Sequence, residues 1–248
     1  MLLAGLLAPV LAIADPFALT GPSLSPPSVG HPMGTDALGR DLFSGVLYGT
    51  RTSLLIAAAV ALLASACGVT VGIVAGYRGG LVDDLLMRIT ELFQVMPRFI
   101  LVAVMIALFG PGLDRVVLTL GFTSWPTLAR VVRGEILATR NLEFVLSAEA
   151  LGATRTRIFW RVLLPQVLPS VLVLVGLMLG QVLLLEASLG FLGLGDPNTL
   201  TWGSLAGQAQ GYLRVAWWLP LFPALAITLT VLGFNLLADG LAALPQQR

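Results

Sequence analysis

The side chains that most often carry chemistry are scarce in this chain of 248 residues. It has one histidine, His31, and one cysteine, Cys67, and all fourteen basic residues are arginines because lysine is absent. A G-x-x-x-x-G-K-[ST] loop needs its lysine on the nucleotide phosphates, so the chain cannot be its own P-loop ATPase. One histidine and one cysteine cannot build a Cys/His zinc site or an internal disulfide. We therefore expect no catalytic residues, no metal site and no cofactor bound by this chain.

The composition is that of an integral membrane protein. Hydrophobic residues make up 57% of the chain and charged residues 11%, and the mean hydropathy is +0.93. Soluble domains carry about 25% charged residues, so this chain has too little polar surface to face water on all sides. A net charge of +1 gives no reason to expect a nucleic-acid partner.

About six membrane spans are predicted from the apolar stretches. A crossing helix needs about 20 mostly apolar residues. The strong spans are 54–75, 167–185 and 219–237, and weaker ones are 92–109 and 116–132, the latter interrupted by Pro126. Residues 1–14 reach only about 21 Å as a helix, and we interpret them as a short first span rather than a signal-peptide core. The predicted fold class is all-α, a polytopic transmembrane helical bundle.

The arginines predict the orientation of these spans. Most of them fall in 76–98 and 130–161, whereas the opposite side has four. Because positive charge favours the cytoplasmic side, both termini are predicted to be cytoplasmic. We divide the chain into 1–52, the first span with an external loop, and 53–248, a transmembrane domain with a cytoplasmic loop at 134–165 and an external loop at 190–218. Trp202, Trp217 and Trp218 flank a span, as interfacial aromatic residues do.

The cytoplasmic loop is predicted to form two short helices. Leu142 and Val145 share a face of the first, Gly152 is a C-cap, and Thr154 caps a second helix that meets Pro165. The simpler alternative is a basic loop lying on lipid headgroups.

Several motifs, in order, resemble one family over nearly the whole chain. Ser147-Ala148-Glu149-Ala150-Leu151-Gly152, followed after nine residues by Val162-Leu163-Leu164-Pro165, resembles the E-A-A-x-x-x-G-x(9)-I-x-L-P loop of ABC-importer permeases. The segments 31–54, 76–88, 191–203 and 235–241 resemble the remaining motifs of dipeptide, oligopeptide and nickel permeases. The resemblance is to the C-type permease subunit and implies a type I ABC-importer permease fold.

The resemblance also implies the partners and the site residues. The partners would be a B-type permease, two ATP-binding subunits that hold ATP and Mg²⁺, and an extracytoplasmic solute-binding protein, assembled in a bacterial inner membrane. The cargo would be short peptides. Alternatives are nickel or another small solute, or a stand-alone secondary transporter. The predicted ATPase-coupling residues are Leu146, Ser147, Ala148, Glu149, Gly152, Val162, Leu164 and Pro165. The family's first glutamate falls on Leu146, and Glu149 is a displaced acidic contact on the same helical face.

Two further groups of residues are predicted to matter. A charge at membrane depth is costly unless it is paired or wet, which makes Glu186, together with Gln181, a candidate for the translocation path. Glu186 could instead pair with an arginine of the partner permease or touch water at the interface, and Gln181 could be an interhelical hydrogen-bond partner. The external motif is predicted to be an internally satisfied Asp–Arg turn near a docking site for the binding protein. Its residues are Gly34, Thr35, Asp36, Gly39, Arg40 and Asp41.

Overall fold

The computed structural model describes residues 11–243, and this part of the chain is mostly helical, with two isolated β-bridges and a long irregular segment at 12–41. Its helices are α1 (Leu42–Arg78), α2 (Gly80–Val95), α3 (Arg98–Phe109), α4 (Leu113–Thr139), α5 (Glu143–Ala150), α6 (Arg155–Ile158), a π turn (Phe159–Leu163), α7 (Leu164–Phe191), α8 (Trp202–Gln208), a 3₁₀ turn (Gln210–Tyr212) and α9 (Trp218–Ala243). The all-α prediction is confirmed for the described residues.

The three strong predicted spans are the central parts of longer helices. Leu42–Arg78, Phe159–Phe191 and Trp218–Ala243 are each long and apolar enough to cross a membrane. The helix α1 begins at Leu42, twelve residues before the predicted start of its span, because capping residues that the hydropathy pattern does not register precede it. The predicted first span, 1–14, falls almost entirely outside the described residues, so the number of spans stays a prediction.

The predicted span 92–109 is wrong as a single helix. The chain breaks after Val95, and α2 and α3 meet at an angle of 75°. Met96 has an extended backbone (φ −73°, ψ 125°) because the ring of Pro97 disfavours the helical conformation in the residue before it. Taken together as one bent pair, α2 and α3 are apolar and long enough to form a further membrane span.

The described residues form two compact units. The first contains 11–58, 102–117 and 179–233, and the second contains 59–101, 118–178 and 234–243. Both predicted external loops lie within the first unit, and the predicted cytoplasmic loop lies within the second.

In the second unit, α1 and α4 touch through three glycines of α1 at four-residue spacing, Gly68, Gly72 and Gly76. A Cβ atom added to Gly72 would lie 2.7 Å from the carbonyl oxygen of Ala129 and 2.7 Å from Cβ of Val132. Such small-residue stripes let helix backbones approach closely in a membrane. The repeat is visible in the sequence, but hydropathy alone does not reveal it.

An ion pair joins α2 to α4 in the same unit. The guanidinium of Arg133 donates two hydrogen bonds to the carboxylate of Asp83, Nε to Oδ1 at 2.5 Å and Nη2 to Oδ2 at 2.6 Å. Bidentate pairs of this geometry are the stronger charge-assisted contacts. The pair sets the position of α2. Most other residues of this helix are exposed.

Substitution of Gly72 tests the close contact. We expect Gly72→Ala to lower the free energy of unfolding by about 2 kcal/mol, because overpacking costs about 1–3 kcal/mol and exceeds the better helix propensity of alanine. Gly134→Ala on α4 is the matched control, since nothing lies within 4 Å of the added Cβ atom. Thermal unfolding of the detergent-solubilised protein measures both. A Gly72→Ala variant as stable as Gly134→Ala would contradict the contact.

Candidate functional site

The predicted cytoplasmic loop forms a compact knob, defined here as residues 140–163. Gly152 has φ +79°, and its neighbours close the end of α5: the N–H of Leu151 donates to the carbonyl of Ser147 (3.0 Å), and that of Ala153 to the carbonyl of Ala148 (3.1 Å). The predicted C-cap at Gly152 is therefore confirmed, because a left-handed residue at this position suits glycine.

The second short helix begins as predicted but does not end at Pro165. The hydroxyl of Thr154 accepts the N–H of Arg157 (3.3 Å), which caps α6. The chain then widens into the π turn, where the N–H of Leu164 donates to the carbonyl of Phe159, five residues earlier. A proline ring clashes with the carbonyl four residues before it, and the wider turn relieves this crowding. The helix therefore continues through Pro165 as α7.

An apolar cluster anchors the knob to the long helices of the second unit. Val145 of α5 is fully buried, and it packs with Ile158 and Leu163 against residues of α1, α4 and α7. Those residues are Ile73, Leu128, Val132, Ile136, Val167 and Val171. The knob is therefore packed into the unit rather than lying loosely beside it.

The exposed surface of the knob is mixed. Leu142, Phe144 and Leu151 are exposed, Leu151 by 87%, beside exposed charged residues that include Glu143 and Arg157. Leu142 and Val145, predicted to share a helical face, differ in burial, because Leu142 precedes α5 and is exposed whereas Val145 is buried. Of the other predicted coupling residues, Ser147 and Pro165 are exposed and Ala148, Val162 and Leu164 are half-buried. The side chains of Leu146 and Glu149 lie outside the described part of the structure.

The Asp36 carboxylate of the external motif in the first unit is satisfied internally, but not by Asp–Arg pairing. Oδ1 of Asp36 accepts the backbone N–H groups of Leu38 and Arg40, each at 2.8 Å. The guanidinium of Arg40 lies over the ring of Phe17, 5.6 Å from its centroid. Among the described residues Arg40 forms no ion pair. The predicted Asp–Arg turn is therefore corrected to an Asp–backbone turn, whose tight corners use positive φ at Gly34 and Gly39.

Asp41 explains the early start of α1. Its Oδ2 accepts the backbone N–H of Ser44 (2.8 Å) and the Ser44 hydroxyl (2.7 Å), and its Oδ1 lies 3.0 Å from Nδ1 of His31. A buried aspartate at this position is a strong N-cap. The Asp-x-x-Ser spacing before an apolar run was the sequence signal for this helix start.

Two tryptophans predicted to be interfacial are instead structural. Trp202 is fully buried, and its Nε1 donates to the carbonyl of Val46 (3.1 Å). Trp218 is also buried, and its Nε1 donates to the carbonyl of Thr35 (3.2 Å). A buried indole N–H needs an acceptor, and the two carbonyls supply one each. Only Trp217 of the three is exposed, so the interfacial prediction is wrong for Trp202 and Trp218.

Glu186 on α7 is 5% exposed and holds the start of α8 within the first unit. The Ser53 hydroxyl lies 3.3 Å from Oε2 of Glu186 and accepts the N–H of Trp202 (3.2 Å). The Thr201 hydroxyl accepts the N–H of Ser204 (3.1 Å). The carboxylate of Glu186 thus holds one of the two hydroxyl groups that cap α8, that of Ser53.

The structure does not bring the two predicted path residues together. Gln181 is exposed whereas Glu186 is buried, and five residues of helix turn them to different faces. The sequence pattern also contains no sign of the partner of Glu186, because Ser53 is 133 residues away along the chain.

Residues 68–248 match the family model described as "Binding-protein-dependent transport system inner membrane component". The chain belongs to this family of inner-membrane permeases. It is 39% identical to the dipeptide transport system permease protein DppC of Bacillus subtilis, over 94% of this chain and 76% of the relative. It is also 39% identical to the glutathione transport system permease protein GsiD of Pectobacterium atrosepticum, over 87% of this chain and 72% of that protein.

The fold of this permease is that of an ABC-importer subunit. A chain of the MetNI methionine ABC transporter in an inward-facing conformation superposes with a TM-score of 0.67 and 21% identity, covering 82% of the permease and 97% of that chain. The predicted type I ABC-importer permease fold and the inner-membrane location are confirmed.

The hydroxyl of Ser53 gives a test of the Glu186 contact. Ser53→Ala leaves the Trp202 N–H and one carboxylate oxygen without their partner, so we expect about tenfold faster hydrogen exchange at the start of α8. Ser23→Ala is the control, because the Ser23 hydroxyl bonds to the carbonyl of Ala37 at an exposed position of the same unit. Exchange of a peptide covering 200–205, followed by mass spectrometry, reads the effect. Unchanged exchange in Ser53→Ala would refute the contact.

Proposed function

We propose that this permease forms, with a B-type permease, the path by which an ATP-driven importer carries short peptides across the inner membrane. Relatives named for dipeptide and glutathione transport support this cargo. The chain is not itself an enzyme in this proposal, since two ATP-binding subunits bind ATP and Mg²⁺ and hydrolyse the nucleotide.

The knob is the proposed contact with the ATP-binding subunits, and its packing is the observation that carries the proposal. Its outer side presents Leu142, Phe144 and Leu151 to a partner, while Val145 ties its inner side to the apolar cluster. Large exposed apolar side chains on a well-packed element suit a protein interface. Because the knob is packed against α1, α4 and α7, a displacement of the knob by the ATPase also moves these helices. Glu149 is the proposed acidic contact on this surface.

At the other unit, the proposed roles concern cargo and its delivery. The solute-binding protein docks near the folded turn of Gly34 to Asp41. Glu186 acts on the translocation path through α8, to which it is linked by the Ser53 hydroxyl, and exposed Gln181 lines that path directly.

Replacing one exposed leucine tests the coupling surface. We expect Leu151→Asp to reduce the amount of ATP-binding subunit that co-purifies, and the transporter's ATPase rate, by at least about tenfold, because a charge then faces an apolar contact. Because Leu151 is exposed, the aspartate disturbs no buried contact of the chain. Leu213→Asp is the matched control, since Leu213 is 55% exposed and lies outside the turn proposed to dock the binding protein. Retention of the ATPase by Leu151→Asp would exclude the knob as the coupling surface.

A separate measurement tests the cargo. The assembled transporter, with its binding protein, is offered dipeptides, tripeptides, glutathione and Ni²⁺, and ATP hydrolysis is recorded. We expect the short peptides to stimulate hydrolysis and free Ni²⁺ to leave it at the basal rate. Stimulation by Ni²⁺ alone would replace the peptide assignment with the nickel alternative while leaving the importer mechanism intact.

A further inference from the structure

An apolar groove of about 360 Å³ runs along the last turns of α1 in the second unit, beside the π turn. Its walls include Ile73, Val74, Phe159 and Leu163, and Arg78 and Trp160 also line it. The coupling mechanism proposed above does not use this groove.

The groove changes from apolar to cationic along α1. From Thr70 to Arg78 is eight residues, or about 12 Å of helix. The Thr70 hydroxyl donates to the carbonyl of Ala66 (2.7 Å), so its hydrogen-bonding capacity is used within the helix and its methyl group is left for an apolar ligand. Arg78 is the exposed last residue of α1. A ligand that fits this gradient has an apolar body and one anionic end.

Trp160 adds a second feature of such a ligand site. It is 61% exposed and lies edge-on to Phe159, with ring centroids 5.0 Å apart. Tryptophan beside arginine at the end of an apolar helix is typical of the level of lipid headgroups. The arginine distribution predicts that this end of α1 is cytoplasmic, where the leaflet surface is negative and attracts basic side chains.

The mainly apolar lining of the groove suits an acyl chain, which needs no hydrogen-bond partner along its length.

We propose that this groove binds an anionic phospholipid of the inner leaflet, with an acyl chain along Thr70 and Val74 and the phosphate at the guanidinium of Arg78. The bound lipid braces the π turn, which joins the knob to α7. This inference requires only the membrane location of the chain and is independent of the cargo.

Tryptophan quenching in the assembled transporter tests the proposal. Nanodiscs contain equal fractions of brominated phosphatidylglycerol or brominated phosphatidylcholine, and the Trp160 signal is the part of the fluorescence lost in Trp160→Phe. We expect brominated phosphatidylglycerol to quench this signal at least about twofold more strongly than phosphatidylcholine, owing to the attraction of the anionic headgroup by Arg78. Arg78→Gln removes the preference. Arg88→Gln, at an exposed arginine of α2 outside the groove, keeps it.

Three results would overturn the proposal. Equal quenching by the two lipids would remove the role of the anionic headgroup, and a preference that survives Arg78→Gln would place the headgroup elsewhere. A Trp160 signal that neither lipid quenches would mean that a protein segment, such as part of the partner permease, covers the groove.

Discussion

The close approach of α1 and α4 along Gly68, Gly72 and Gly76 is the contact on which the rest of the second unit depends. Lipid tails are as apolar as leucine, so helices in a membrane gain little from burying side chains and depend on van der Waals contact between closely packed surfaces. The glycines permit that contact and place Ile73 and Ile136 in one apolar cluster. Val145 of the knob joins the same cluster, so the surface offered to a partner is attached to the helices that are expected to move.

The first unit is held together by buried polar groups rather than by a large apolar core alone. Asp41 caps α1, the carbonyl of Thr35 accepts the indole N–H of Trp218, and Glu186 holds the Ser53 hydroxyl at the start of α8. Each of these polar groups is buried with a partner, as burial without water requires. Charged residues make up 11% of the permease, and several of them position helices. Motifs that resemble functional sites in the sequence therefore have structural roles.

The sequence predicted what depends on local pattern. Apolar length located the centres of α1, α7 and α9, and the residue types of Gly152 and Thr154 correctly predicted the ends of two short helices. It failed where a distant partner decides the outcome. Trp202 has the sequence position of an interfacial residue, but in the structure its indole Nε1 donates to the carbonyl of Val46. Glu186 cannot be matched with Ser53 by spacing along the chain. The bend at Met96 was predictable in part, because Pro97 is a local signal that the hydropathy average hid.

The most direct test of the central claim is peptide uptake by proteoliposomes that contain the assembled permeases and ATP-binding subunits. If the permease provides a path driven through its knob, a labelled dipeptide accumulates only when binding protein is outside and hydrolysable ATP is inside. A proton or sodium gradient cannot substitute for ATP. Accumulation without ATP, driven by an ion gradient, would contradict the account and identify the chain as a secondary transporter.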